Sequence, residues 1–459
     1  MTDQPGQNPN QPEQPKFDGS ADNQNRPKLR KIRGFPFPIQ SPDGQKQTML
    51  GLADAQQVSD KLVVTQPAFQ AVLPFMDGTR DIDQIVAEVG RGLERPMLEQ
   101  LVAQLDGAGL IEGPVADGLL ADMRTAFDKT DHLPPGSTAQ FADLLVMQEV
   151  GQEATDEQKV EMGPDKLRQA MDTWIEAALK DVENPAFDVL PKAIVAPHLD
   201  YQRGWYNYAQ AYGRMRVVDR PDRVVILGTN HFGRSTGVCG CDKGFASPLG
   251  LCEGDIELMA ALRSKMGAAA EPLFAERYDH ENEHSIELHI PWIQHVFGMD
   301  DSGAYPKVFA ALVHDPVTNN GDSYDGNGVD LEQFIAALKA TLDGLGGKTL
   351  VISSADLSHV GPAFGDQQTL GGDEGPGAEF RAKTATHDKE MLQTFTEKRF
   401  EDLVGAMAWQ QNPTRWCSIG NMVAAARVTE PDRVELLNYA ASMDPEGTAF
   451  VSSAALAMF

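Results

Sequence analysis

Beyond Pro191 the chain is punctuated by short apolar runs, AIVAP, RVVILG, VFAALV, TLVISSA, VELLNYA and TAFVSSAAL, separated by stretches with helical spacing. Buried strands that alternate with helices imply a sheet covered on both faces. The expected class is therefore α/β, a central mixed sheet flanked by helices.

A length of 459 residues points to two or three folded units, and the 41% hydrophobic and 23% charged shares fit a globular chain. No run reaches the roughly 18 apolar residues that a membrane span needs, so no membrane partner is expected. The N-terminus, MTDQPGQNPNQPEQPK, lacks the charged start, apolar core and cleavage site of a signal peptide, and a cytoplasmic location is expected. The formal charge of -28 opposes a polyanionic partner, which excludes nucleic acid. Four cysteines in so long a chain are read as thiols rather than as a disulfide framework.

Residues 1 to 28 are Gln, Asn, Pro and Asp with few apolar side chains and are expected to be a disordered tail. The basic stretch KLRKIRGFPFP, next in the chain, is read as solvated. From about Leu50 to Gly113 the spacing of apolar residues predicts three short helices, in DKLVVTQPAFQAVLPFM, IDQIVAEVG and MLEQLVAQLDGAGLIEG. Their order resembles small winged-helix modules of the PqqD-like kind, which implies a small, helical winged-helix-like domain over 29–114 that binds a peptide or a partner protein. A polar, helical connector over 115–135 leads to the second domain, 136–459. DKLRQAMDTWIEAAL is a clear amphipathic helix within it.

Eight of the ten histidines lie between His198 and His359, several just after a predicted strand. In an open α/β sheet ligands bind where strand ends meet helix N-termini. His198 ends the run AIVAPH and His231 ends RVVILGTNH; two imidazoles on rigid strand ends can share one metal ion. Cys417 precedes a predicted helix, SIGNMVAAARV, whose positive end favours the thiolate needed to hold metal. His359 lies beyond TLVISSA and stands near Asp356, whose carboxylate is expected to orient the imidazole for acid or base work. His280, Glu283 and His284 spell H-x-x-E-H, the inverted zinc-peptidase signature, so a metallopeptidase is a rival reading. Cys239, Cys241 and Cys252 lack paired zinc-site spacing and are read as ordinary thiols.

Five ordered motifs, "IVAPHLDYQRG", "VVILGTNHFG", "EHSIELHIPWI", "SSADLSHVG" and "CSIGN", resemble the Memo family, called AmmeMemoRadiSam system protein B in bacteria and archaea. The resemblance implies a fold like that of the class III extradiol dioxygenases, which use Fe(II) on catechol-type substrates. It implies His198, His231 and Cys417 as metal ligands, His359 as acid or base, and Glu283, His284, Glu287 and His289 as residues that line or buttress the pocket, in which Asp200 and Asn230 are also expected. Fe(II) is the expected metal, with Cu or Zn also suited to a site softened by thiolate. The implied partners are a radical SAM enzyme, an AMMECR-like protein and a small aromatic or oxygenated substrate. Where many family members read "PHAGY" this chain reads "PHLDYQRG", so Asp200 and Arg203 change the pocket wall.

Overall fold

The computed structural model describes residues 15–40, 45–90 and 92–459. The chain divides between Lys129 and Thr130 into two compact units.

In the first unit, Ile32–Gln40, Lys46–Asp54 and Val63–Thr65 form a three-stranded antiparallel sheet. Helices span Ile82–Val89, Arg95–Gly107 and Pro114–Asp128. Asp81 and Gln84 close a reciprocal cap on the first of these. Leu52, Ile82, Ile85, Leu98, Val102 and Leu105 are buried together as its core.

Two of the three expected helices are present; the first is not. The β-branched run Val63, Val64, Thr65 is extended, and Pro67 and Pro74 restrict the next residues to two 3-10 turns, Pro67–Ala71 and Leu73–Phe75. The basic stretch expected to be solvated runs into the first strand, and Arg30 is buried, pairing with Asp54 at 2.9 Å. Of the expected tail, residues 1–14 lie outside the described residues. Residues 15–28 include a short helix, Asp22–Asn25, from which Asn23 and Gln24 donate to the Asp106 carboxylate at 2.8 and 2.7 Å.

The second unit begins at Thr130 rather than 136, because His132–Leu133 pairs in parallel with a strand at Gly244–Ser247. Its main sheet has eight strands: β1 (Ala193–Ala196), β2 (Arg223–Thr229), β3 (Cys239–Cys241), β4 (Lys307–Val313), β5 (Thr349–Ser354), β6 (Asp356–Val360), β7 (Val434–Met443) and β8 (Phe450–Met458). The spatial order is β6-β8-β1-β5-β2-β4-β3, with β7 also paired to β8. β1, β5, β2 and β4 are parallel, whereas β3, β6, β7 and β8 pair antiparallel, which makes the sheet mixed as expected.

Because side chains alternate across a strand, one set of strand residues (Val195, Leu227, Phe309, Val351) packs with Leu258, Phe334, Leu338, Met422 and Val423 in the largest core. The alternate set (Ile194, Ile226, Ala310, Ile352) is equally buried. Helices Asp156–Leu179, Tyr201–Tyr212 and Ile290–Phe297 pack with one another there, and Tyr201–Tyr212 lies on β1 and β8. The four parallel strands therefore present their C-terminal ends along one edge. Two glycines let other segments close onto that edge. A Cβ at Gly228 would stand 2.6 Å from both Ser285 Oγ and Ile286 Cδ1, and one at Gly420 would collide with the carbonyl of His314.

Candidate metal centre

His198 stands two residues beyond β1 and His231 two residues beyond β2, so the loops after the two strands that flank β5 each deliver one imidazole. Cys417 comes from a third segment, two residues before the helix Ile419–Thr429. One donor atom from each of the three lies within 4.8 Å of the others. The His198 and His231 rings are 4.9 Å apart and nearly perpendicular, and His198 Nε2 is 3.3 Å from Cys417 Sγ.

The hydrogen bonds behind the rings decide which nitrogens face the cluster. Ser354 donates its only hydroxyl proton to the carbonyl of Ser285 at 2.5 Å, so at 3.1 Å it can only accept from His198 Nδ1. That fixes the proton on Nδ1 and leaves the Nε2 lone pair turned to Cys417. His231 Nδ1 lies 3.0 Å from Glu283, a carboxylate that also accepts from the backbone N–H of His231 and of Ser285, each at 2.8 Å. Its Nε2 is thereby also directed away from its carboxylate partner. A metal-binding imidazole is typically oriented by a hydrogen bond through its other nitrogen, and both rings have such a bond.

The electrostatics separate the two rings. Burial, followed by the neighbouring His231, pushes His198 well below the usual histidine range, so it is neutral. Burial also opposes charge on His231, but the Glu283 carboxylate and Cys417 outweigh it and hold His231 well above that range. Burial would raise Glu283, yet the two imidazoles beside it, His231 foremost, bring it down to about 2. A cation binding in the cluster thus competes with the proton on His231.

Asp356 does not orient His359. It accepts from the backbone N–H of His198 at 3.2 Å and lies 3.6 Å from His198 Nε2, with burial pushing its carboxyl up to about 7. His359 Nδ1 instead donates to the carbonyls of Leu357 and Arg415 at 2.9 and 3.2 Å. Residues three apart on a regular strand point to opposite faces. β6 carries a register shift that opposes Asp356 to Ser453 and His359 to Val451, which returns both side chains to one face. Burial lowers His359 to about 4, so at neutral pH it is an uncharged acceptor rather than an acid holding a proton.

The expected pocket residues divide. His284 belongs to the cluster's rim: its ring stacks on His231 at 4.9 Å, and His231, Glu283 and His284 form a second group of donor atoms within 4.8 Å. Asp200 is exposed, caps the helix Tyr201–Tyr212 and is held by Arg203. Asn230 shapes the loop after β2, donating to Asp279 and accepting from the backbone of Gly233. His289 is buried away from the cluster against Tyr212, 2.8 Å from its hydroxyl. Glu287 accepts from the backbone N–H groups of Gly136, Ser137 and Thr138 at the start of the helix Ser137–Val150, a cap supplied from a distant segment.

The peptidase signature is not realised. His280 closes a 3-10 turn, Arg277–His280, while a separate helix starts at His284. His280 Nε2 meets the carbonyl of Cys239 at 3.1 Å, and among the described residues no group of donor atoms unites it with His284. The roles of Ser354 and Ser285 in settling the His198 tautomer are not readable from the sequence; Ser354 is one of the paired serines of SSADLSH at a strand end, and Ser285 lies within EHSIELHIPWI.

The Memo-like protein family model matches residues 160–458, more than half of the chain and the whole of the candidate centre. The chain belongs to the Memo-like family. A MEMO1 family protein of Methanopyrus kandleri is 34% identical over 170 residues, 37% of this chain and 53% of that protein, so this match spans about half of the relative's length. MEMO1 family proteins of Aquifex aeolicus (24% identical, 79% of this chain and 85% of the relative) and Methanothermobacter thermautotrophicus (25%, 62% and 91%) extend the likeness over most of both chains. Among the described residues no helix of this Memo-like protein is long and apolar enough to cross a membrane.

Proposed function

We propose that the second unit is a metal-dependent oxidoreductase of the extradiol dioxygenase type, with His198, His231 and Cys417 as ligands and a small aromatic or oxygenated molecule as substrate. The observation that carries this reading is the convergence of three donor atoms within 4.8 Å, with the two imidazoles hydrogen-bonded through Nδ1. Iron is the metal the family resemblance implies for such an oxidoreductase, and two imidazoles and a thiol accommodate copper or zinc as well. When bound, the metal supplies a Lewis-acidic, redox-active centre. The chain's own contribution is to keep His198 neutral and oriented, to exclude water around a nearly buried imidazole, and to offer His359 as a proton acceptor on the same sheet face.

In this reading the protein works in the cytoplasm beside a radical SAM enzyme and an AMMECR-like protein. Its first unit serves as a winged-helix-like module for a peptide or partner. An apolar hollow lined by Pro67, Phe69, Val72, Val89, Leu93 and Met97 supports that role.

Metal analysis after anaerobic purification tests the centre. Wild type should carry about one iron per chain, and His198→Ala, His231→Ala and Cys417→Ser should each lose most of it, because removing one of three protein ligands breaks a compact site. His359→Ala should keep its metal. Full retention in all three ligand variants would overturn the proposal.

A further inference from the structure

The helix Pro376–Thr396 carries a fully buried carboxylate, Asp388, that belongs to none of the five family-like motifs. Four neutral donors converge on it. Ser358 Oγ (2.5 Å) and Trp416 Nε1 (2.8 Å) donate to Oδ1; Tyr439 Oη (2.7 Å) and Ser452 Oγ (2.6 Å) donate to Oδ2. Only a carboxylate can accept four hydrogen bonds at one place while donating none, since an amide of the same shape turns two protons toward its donors. A buried charge is costly, and full hydrogen bonding offsets that cost only when every lone pair is used.

The two donors on Oδ1 are the immediate neighbours of His359 and Cys417. Trp416 is 1% exposed, its indole fixed by Asp388 and its backbone fixed by Asn412, which accepts from Trp416 N–H and donates to its carbonyl, both at 2.8 Å. Ser358 sits on β6 between Leu357 and His359. One oxygen atom thus ties the strand of Asp356 and His359 to the loop of Cys417. His359 stitches the same two segments directly, its backbone N–H donating to the Thr414 carbonyl at 2.7 Å.

We propose that Asp388 is a positioning residue that sets the place of Cys417 relative to the two imidazoles, acting through Trp416. Its consequence for metal binding rests on the proposed metal centre; its consequence for the Cys417 thiol does not. Cys239, Cys241 and Cys252 are buried and Cys417 is half-buried, so a small alkylating thiol reagent on the native, chelator-treated full chain reports Cys417.

Three variants of the same network decide the matter: Asp388→Asn, Trp416→Phe and Tyr439→Phe. Asp388→Asn and Trp416→Phe should each raise the alkylation rate and weaken metal affinity by about tenfold. The double variant should be little worse than either alone, because both act on one link. Tyr439→Phe removes a donor from the far oxygen of the same carboxylate; it should lower the melting temperature yet leave both readouts within about twofold. Should Asp388→Asn fail to fold, Trp416→Phe against Tyr439→Phe carries the comparison. Unchanged alkylation in folded Asp388→Asn and Trp416→Phe overturns the proposal, as does an equal response in Tyr439→Phe. Wild type without metal would defeat the metal reading while the alkylation result still judged Asp388.

Discussion

Replacing Glu283 by Gln tests whether the carboxylate behind His231 governs metal binding. Glu283 is 4% exposed and its carboxylate receives three donors: His231 N and Ser285 N at 2.8 Å, and His231 Nδ1 at 3.0 Å. Gln keeps the shape but offers one acceptor oxygen, so at least one donor must face an NH2 group. Removing the partner that orients a metal-binding imidazole weakens affinity roughly 10- to 100-fold, or about 1.4 to 2.8 kcal/mol. A second effect opposes the first. Glu283 holds His231 well above the ordinary histidine range, so in wild type a cation must displace a proton and affinity should climb as pH rises through neutrality. Without the carboxylate that competition fades and the slope should flatten. Competition with a coloured chelator across the neutral range reads both quantities. The expected result is weaker binding on the alkaline side together with a shallower pH dependence. Wild-type affinity with a wild-type slope in Glu283→Gln would refute the role assigned to this pair.

Asp356→Asn should stabilise the metal-free protein at alkaline pH. Its carboxyl is raised from 3.8 to about 7, so the folded state prefers the protonated form; its contribution is greatest below about 3.8 and is lost as pH rises through 7. About three pH units at 1.36 kcal/mol each give up to about 4 kcal/mol of cost at pH near 8, which Asn avoids while still accepting from the His198 N–H. A thermal midpoint at pH near 8 no higher than wild type would count against this. The chain starting at Thr130 should fold alone, since the division falls there and the second unit has its own core. Its circular dichroism should be that of a folded α/β chain and its metal content should equal that of the full protein; metal-free or insoluble protein would contradict the division.

How much of the fold was legible in the sequence depended on burial. All six apolar runs beyond Pro191 are strands; β1, β2, β4, β5 and β8 are buried on both faces and so largely apolar, whereas β7 is only half-buried at the sheet's margin. β3 and β6 went unread for the complementary reason. β3 is Cys-Gly-Cys, three residues with a glycine in the middle, and β6 is Asp-Leu-Ser-His-Val, its polar residues buried by hydrogen bonds rather than by hydrophobicity. The hairpin Ile32–Gln40 with Lys46–Asp54 was hidden by Pro36 and Pro38, which read as breaks in a chain segment and are tolerated because this strand lies at the edge of its sheet. Helix periodicity in the stretch after Asp60 was real but was overruled by β-branching and two prolines.

The candidate site shows a sharper limit. Candidate ligands could be located by their place after strands, since geometry forces strand ends together; of their partners, Glu283 is expected at the pocket and the serines are not. The tautomer of His198 depends on Ser354, whose hydroxyl is turned by a carbonyl 69 residues earlier in the chain, at Ser285. His231 depends on a carboxylate 52 residues away. Nothing in the local pattern assigns Ser354 and Ser285 this role, which arises only when the sheet closes; Glu283 is placed at the pocket by the family resemblance, but its pairing with His231 is not. The misassigned pair makes the same point from the other side. Asp356 and His359 are neighbours in sequence and share a sheet face through a bulge, yet the carboxylate turns to His198 and the imidazole to backbone carbonyls. Proximity in sequence proposed a dyad; the register of β6 against β8 gave the two side chains separate partners, the backbone N–H of His198 for the carboxylate and the carbonyls of Leu357 and Arg415 for the imidazole.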